Sequence, residues 1–91
     1  MKLEIEEDRV FGQLKLPIAP GTVRKAQQRA IDEALAGPLE EAAAALGVIV
    51  SAAPSSFARQ LPGRDPEGMI TFEIRGRTEG DRLVPGTPAP T

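Results

Sequence analysis

"VRKAQQRAIDEALAGPLEEAAAAL", Val23 to Leu46, decides how much of this chain is helix and how its layers are arranged. Val23, Ala26, Ala30, Ile31, Ala34 and Leu35 recur at spacings of three and four, which gathers them into one apolar stripe facing a core. Gly37-Pro38 then interrupts the run. Gly suits the residue after a helix end and Pro the first position of the next helix, so two helices, or one kinked helix, are expected here. Thr22 is the expected N-cap, because its hydroxyl can accept an orphan amide of the first turn.

The charges of this stretch run against the helix dipole. Arg24, Lys25 and Arg29 crowd the start, where acids are favoured, and Asp32, Glu33, Glu40 and Glu41 follow. A second helix beginning at Pro38 turns Glu40 and Glu41 into ordinary first-turn acids and leaves the three bases unexplained. They read as an anion or acidic-partner site, set against a solvated face with weak pairing of Arg29 to Asp32 or Glu33.

Upstream, "KLEIEEDRVFGQLKL" alternates as a hairpin. Leu3 and Ile5 share one face of its first strand, Val10, Leu14 and Leu16 share one face of its second, and Glu7-Asp8 makes the turn. Gly12 marks a bulge or a close approach of another backbone. Downstream, Gly47 closes the helix and Val48-Ile49-Val50 reads as a short central strand. In "MITFEIRGR", Ile70, Phe72 and Ile74 point one way and Thr71, Glu73, Arg75 and Arg77 the other.

Between these strands, residues 54–68 are rich in Pro, Gly and Ser and read as one long functional loop, with a helical turn around Phe57 and Leu61 capped by Ser55 or Ser56. Residues 85–91 carry three prolines and favour an extended, polyproline-like course. The expected fold is α+β: a two-layer sandwich in β-β-α-α-β-β order, with a mostly antiparallel four-stranded sheet and helices on one face. Residues 1–84 form the single domain and 85–91 the Pro-rich C-terminal tail.

Composition narrows the chemistry. The 91 residues include no His, Cys, Tyr or Trp, so the usual neutral-pH proton carrier and the thiolate nucleophile are missing. Ser51, Ser55 and Ser56 have no imidazole to activate them. Neighbouring acids such as Asp32-Glu33 and Glu40-Glu41 point apart on regular elements, and "GRDPEG" lacks the spacing of a phosphate loop. No enzymatic activity, cofactor or metal is expected.

The net charge of −2 conceals blocks of opposite sign: acidic to Asp8, basic from Arg9 to Ile31, acidic from Asp32 to Ala58, and balanced thereafter. Such blocks suit a complementary protein surface better than they suit a pervasive field for nucleic acid. The alanine ridge Ala26, Ala30 and Ala34 and the run Ala42 to Ala45 allow close helix approach, within the domain or between subunits.

The expected function is a non-enzymatic assembly or adaptor subunit, such as a bacteriophage structural protein, docking to homo- or hetero-oligomeric protein partners through loop, tail and charge blocks. Its candidate contacts are Arg24, Lys25, Arg29, Phe57, Arg59, Pro85, Pro88 and Pro90. The alternative is a small regulator holding nucleic acid or an acidic host protein on the basic helix start. "MKLEIEED" reads as neither secretory signal nor transit peptide, and no stretch is apolar enough to span a membrane. A cytoplasmic location, or a virion, is expected.

Overall fold

The computed structural model describes residues 2–86. The order of elements is β1 (Glu4–Glu6), β2 (Arg9–Leu16), α1 (Arg24–Leu46), β3 (Ile49–Val50), a 3-10 turn (Pro54–Phe57), β4 (Ala58–Gln60), β5 (Ile70–Glu79) and β6 (Arg82–Pro85). Among the described residues one helix combines with a six-stranded mixed sheet, ordered β1-β2-β5-β6-β3, with β4 also paired to β5.

The α+β content agrees with the sequence, but the element order and the four-stranded, mostly antiparallel sheet do not. β4 and β6 are additional strands, and β3 runs parallel to β6. β5 is the spine: β2 pairs along one edge from Leu16↔Ile70 to Arg9↔Arg77, while β4 and β6 share the other edge end to end. β2 pairs without interruption through Gly12, so of its two expected roles the bulge is absent. Val48–Val50 was expected at the centre of the sheet; β3 instead lies at its border, with Ile49 63% exposed. Its two residues find a partner only in β6.

Arg24–Leu46 is one helix and not two. Pro38 lies inside it, where it removes the N–H that would bond the Ala34 carbonyl. Burial on both sides overrides that loss. Ile31, Leu35, Leu39, Ala42 and Ala43 all bury against the sheet and the 3-10 turn, so the stripe continues across Gly37-Pro38. Ala34 packs partly against the core, whereas Val23 and Ala26, expected in the stripe, are exposed in the first turn.

Val23 is the N-cap and gives no side-chain hydrogen bond. The Thr22 hydroxyl donates to the Ala19 carbonyl at 2.6 Å and leaves the helix uncapped, contrary to expectation. The far end closes as foreseen. Gly47 is left-handed at φ 73, its N–H donates to Ala44 O at 3.2 Å, and Val48 N–H donates to Ala43 O at 2.9 Å, the Schellman closure.

The core lies between α1 and one face of the sheet. Val10 and Leu14 from β2, Ile70, Phe72 and Ile74 from β5, and Leu83 from β6 meet the helix residues there, with Leu35, Leu39, Ile74 and Leu83 at 0% exposure. Leu3 joins them just before β1. Ile5, expected beside Leu3, is instead 41% exposed at the sheet edge.

The first half of the expected long loop, residues 54–60, is regular structure, and residues 61–68 remain loop. Its first residues form the 3-10 turn, whose N-cap is Ala53, not Ser55 or Ser56. The Ser55 N–H donates to Asp32 Oδ1 at 2.8 Å, which ties the turn to α1. Pro85, assigned from sequence to the tail, is the last residue of β6 and pairs opposite Gly76; Pro88 and Pro90 lie outside the described residues.

Candidate interaction face

α1 covers one face of the sheet, and strand alternation sends every second side chain to the other. Residues paired across neighbouring strands share a face, so the register lays the open face out in rows. One row reads Glu6, Arg9, Arg77, Val84 across β1, β2, β5 and β6; the next reads Glu4, Phe11, Arg75; a third reads Gln13, Glu73, Arg59, the last from β4. Lys2, Glu4, Glu6, Arg9, Phe11 and Gln13 help to line a depression of about 900 Å³, together with Glu73, Arg75 and Arg77.

The charges on this face are partly answered. Arg75 Nε lies 2.8 Å from Glu73 Oε1 and Arg77 Nη2 lies 3.2 Å from Glu79 Oε2. The two arginine side chains keep 57% and 49% of their exposure, so each pair contributes no more than about 1 kcal/mol. Among the described residues Arg9, Glu4 and Glu6 make no ion pair. Arg9 and Arg77 stand directly opposite each other across β2 and β5, an arrangement that opposes sheet pairing. Phe11 is half-buried among these charges.

The border of the face is fixed by the 61–69 segment. Arg64 Nη1 donates to the Ile18 and Gly68 carbonyls, each at 2.7 Å. Asp65 Oδ1 accepts the Met69 N–H at 2.8 Å and the Glu67 N–H at 3.0 Å, while Asp65 Oδ2 lies 3.4 Å from Lys15 Nζ on β2. The Met69 amide, the Lys15 ammonium and the Glu67 amide hold the Asp65 carboxyl below its usual range, against a smaller desolvation effect.

Of the contacts expected from sequence, the structure brings only Arg59 to this face, opposite Glu73 on β5. Arg24, Lys25 and Arg29 lie exposed along the first turns of α1, with no acid in that first turn and no ion pair among the described residues. Arg29 does not engage Asp32, whose carboxylate faces Ser55. Phe57 is a core residue at 3% exposure. Arg9, Phe11 and Gln13 were not anticipated as a site; the signal was the outward half of each alternating strand, already visible in Glu73, Arg75 and Arg77.

Among the described residues no group of three or more acids gathers in a metal-binding arrangement, and no helix is long and apolar enough to cross a membrane. Comparison with known proteins found no matching family model, no matching curated protein and no matching solved structure.

Proposed function

We propose that this chain is a non-enzymatic assembly or adaptor subunit that docks neighbouring protein chains through the open face of its sheet. One observation carries the reading: the sheet is covered by α1 on one side only, and its other side presents ordered rows of both charges around a half-buried phenylalanine. Interfaces are enriched in Arg and aromatic residues, and complementary charge sets their register and selects their partners. A multi-subunit particle such as a phage virion is a natural setting for a small chain of this kind, and the cytoplasm or the virion its location. The sequence holds no His, the commonest proton carrier in catalysis, and no Cys nucleophile.

The test is the size of the particle the chain occupies in its own cells. Epitope-tagged chain released by gentle lysis is expected to elute well above the 9.6 kDa of one copy, and the variant Arg75→Glu/Arg77→Glu to leave that particle. Elution of the unaltered chain at 9.6 kDa contradicts the reading.

A second reading keeps support from the helix start: a regulator holding nucleic acid or an acidic protein on Arg24, Lys25 and Arg29. These three bases stand exposed beside uncapped amides of α1. Binding of an oligonucleotide that weakens linearly with log salt, and that Arg24→Glu/Lys25→Glu abolishes, would raise this reading above the first.

A further inference from the structure

We infer that the open face of the sheet is the contact surface for a second copy of this chain, packed face to face about a two-fold axis that runs along β2 through Phe11. The inference rests on the docking reading above and names the partner.

The argument is one of register. A two-fold axis along β2 exchanges the columns on either side of it, so β1 of one copy lies over β5 of the other while the rows are kept. The row Glu4, Phe11, Arg75 then meets its own reverse: Glu4 faces the partner's Arg75, Arg75 faces the partner's Glu4, and Phe11 meets the partner's Phe11. In the adjoining row Glu6 faces the partner's Arg77 and the reverse. Arg9 lies on the axis as Phe11 does and meets the partner's Arg9, a like-charge contact flanked by Glu6 from each copy. Four acid-base contacts thus surround an aromatic pair, and the same carboxylates screen the opposed Arg9 and Arg77 of each sheet.

The layout selects this occupant over a polyanion. Glu4, Glu6 and Glu73 interleave with Lys2 and the three arginines in the same depression and offset most of their positive charge, whereas an isologous partner supplies both signs in matching positions. The face is small. Eight residues of β2 and four strand columns span about 27 by 19 Å, roughly 500 Å² per copy, below the ~800 Å² per partner of a standard interface. Association is therefore reversible, concentration-dependent and weakened by salt.

The experiment uses two full-length variants, Glu4→Arg/Glu6→Arg and Arg75→Glu/Arg77→Glu, checked for folding by circular dichroism and followed by sedimentation equilibrium. Each variant alone places like charges opposite one another and is expected to associate about a hundredfold or more weaker than the unaltered chain. Mixed in equal amounts they again place Arg opposite Glu at all four contacts and are expected to form a heterodimer. The unaltered chain, needing no substitution, is expected to dimerise and to loosen as salt rises.

A monomeric unaltered chain, undiminished association of either variant alone, or a mixture that stays monomeric overturns the inference, as does a monomer that binds an oligonucleotide on this face. A chain that is monomeric when purified but part of a larger native particle removes the second copy and leaves the docking reading in place. A native particle of one chain removes both.

Discussion

Arg9 on β2 and Arg77 on β5 are direct cross-strand partners on the uncovered face of the sheet. Two guanidinium groups so placed repel one another through solvent, and Glu79 answers only Arg77. The isolated chain thus holds a small unfavourable pairing where the open face carries its arginines. Replacing Arg9 by Thr, a good strand former, is expected to stabilise the monomer by about 0.2–1 kcal/mol, read as the denaturation midpoint in dilute solution. An unchanged or lowered midpoint would mean that the pair is already relieved within one chain.

Phe57 and Gly76 define the other side of the sheet. A Cβ built on Gly76 would lie 3.2 Å from two ring carbons of Phe57, so the ring packs where a side chain would otherwise stand. Gly76→Val is expected to cost about 1–3 kcal/mol through overpacking, with Gly76→Ala costing less, both measured by urea unfolding. Partial recovery in Gly76→Ala/Phe57→Leu would place the loss at this contact.

The helix carries stability that its sequence withholds. Gly37 lies inside α1 with open space around its would-be Cβ, and Pro38 follows it. Gly37→Ala is expected to raise stability by about 1 kcal/mol, and Pro38→Ala by up to about 3 kcal/mol, less what a freer unfolded chain takes back. At the helix start, Arg24→Glu/Lys25→Glu is expected to add about 0.3–1 kcal/mol per position at low salt by answering the dipole. Thermal melts of the variants check each figure. All of them should leave self-association unaltered.

Asp65 gives a pH dependence of known sign. Its carboxyl is held below the ordinary value of 3.8 in the folded chain, so it binds a proton more readily when unfolded. The stabilisation is present above that value and is lost as pH falls through the lowered one. Asp65→Asn is expected to flatten the melting temperature against pH in the acid limb. In the unaltered chain the Met69 amide should exchange faster as the carboxyl protonates. An acid limb of equal slope in both proteins would show that other carboxylates dominate it.

Much of the core was legible in single segments. Ile70, Phe72 and Ile74 alternate as buried strand residues must, and Gly47 stops the helix where only a left-handed residue fits. What escaped needed tertiary information. Pro38 reads as a helix start unless Leu39, Ala42 and Ala43 are known to continue the same buried stripe. Ala58–Gln60 and Arg82–Pro85 are too short and too interrupted by Pro and polar residues to announce strands, and they form because β5 offers an edge to each. Phe57 looked available because nothing in its own segment shows that Gly76 will receive it. The open face was half visible: Glu73, Arg75 and Arg77 point away from the core by alternation alone. Their alignment with Glu4, Glu6, Arg9 and Phe11 exists only in the pairing register.

The account turns on which surface meets the second copy, and isotope-filtered NOE spectroscopy on an equal mixture of labelled and unlabelled full-length chain reads that surface directly. Intermolecular contacts are expected from the Phe11 ring to its counterpart and to the side-chain methylenes of the partner's Arg75. Contacts confined instead to the exposed Val23 or Ile49, or none at concentrations where the dimer is populated, would contradict it.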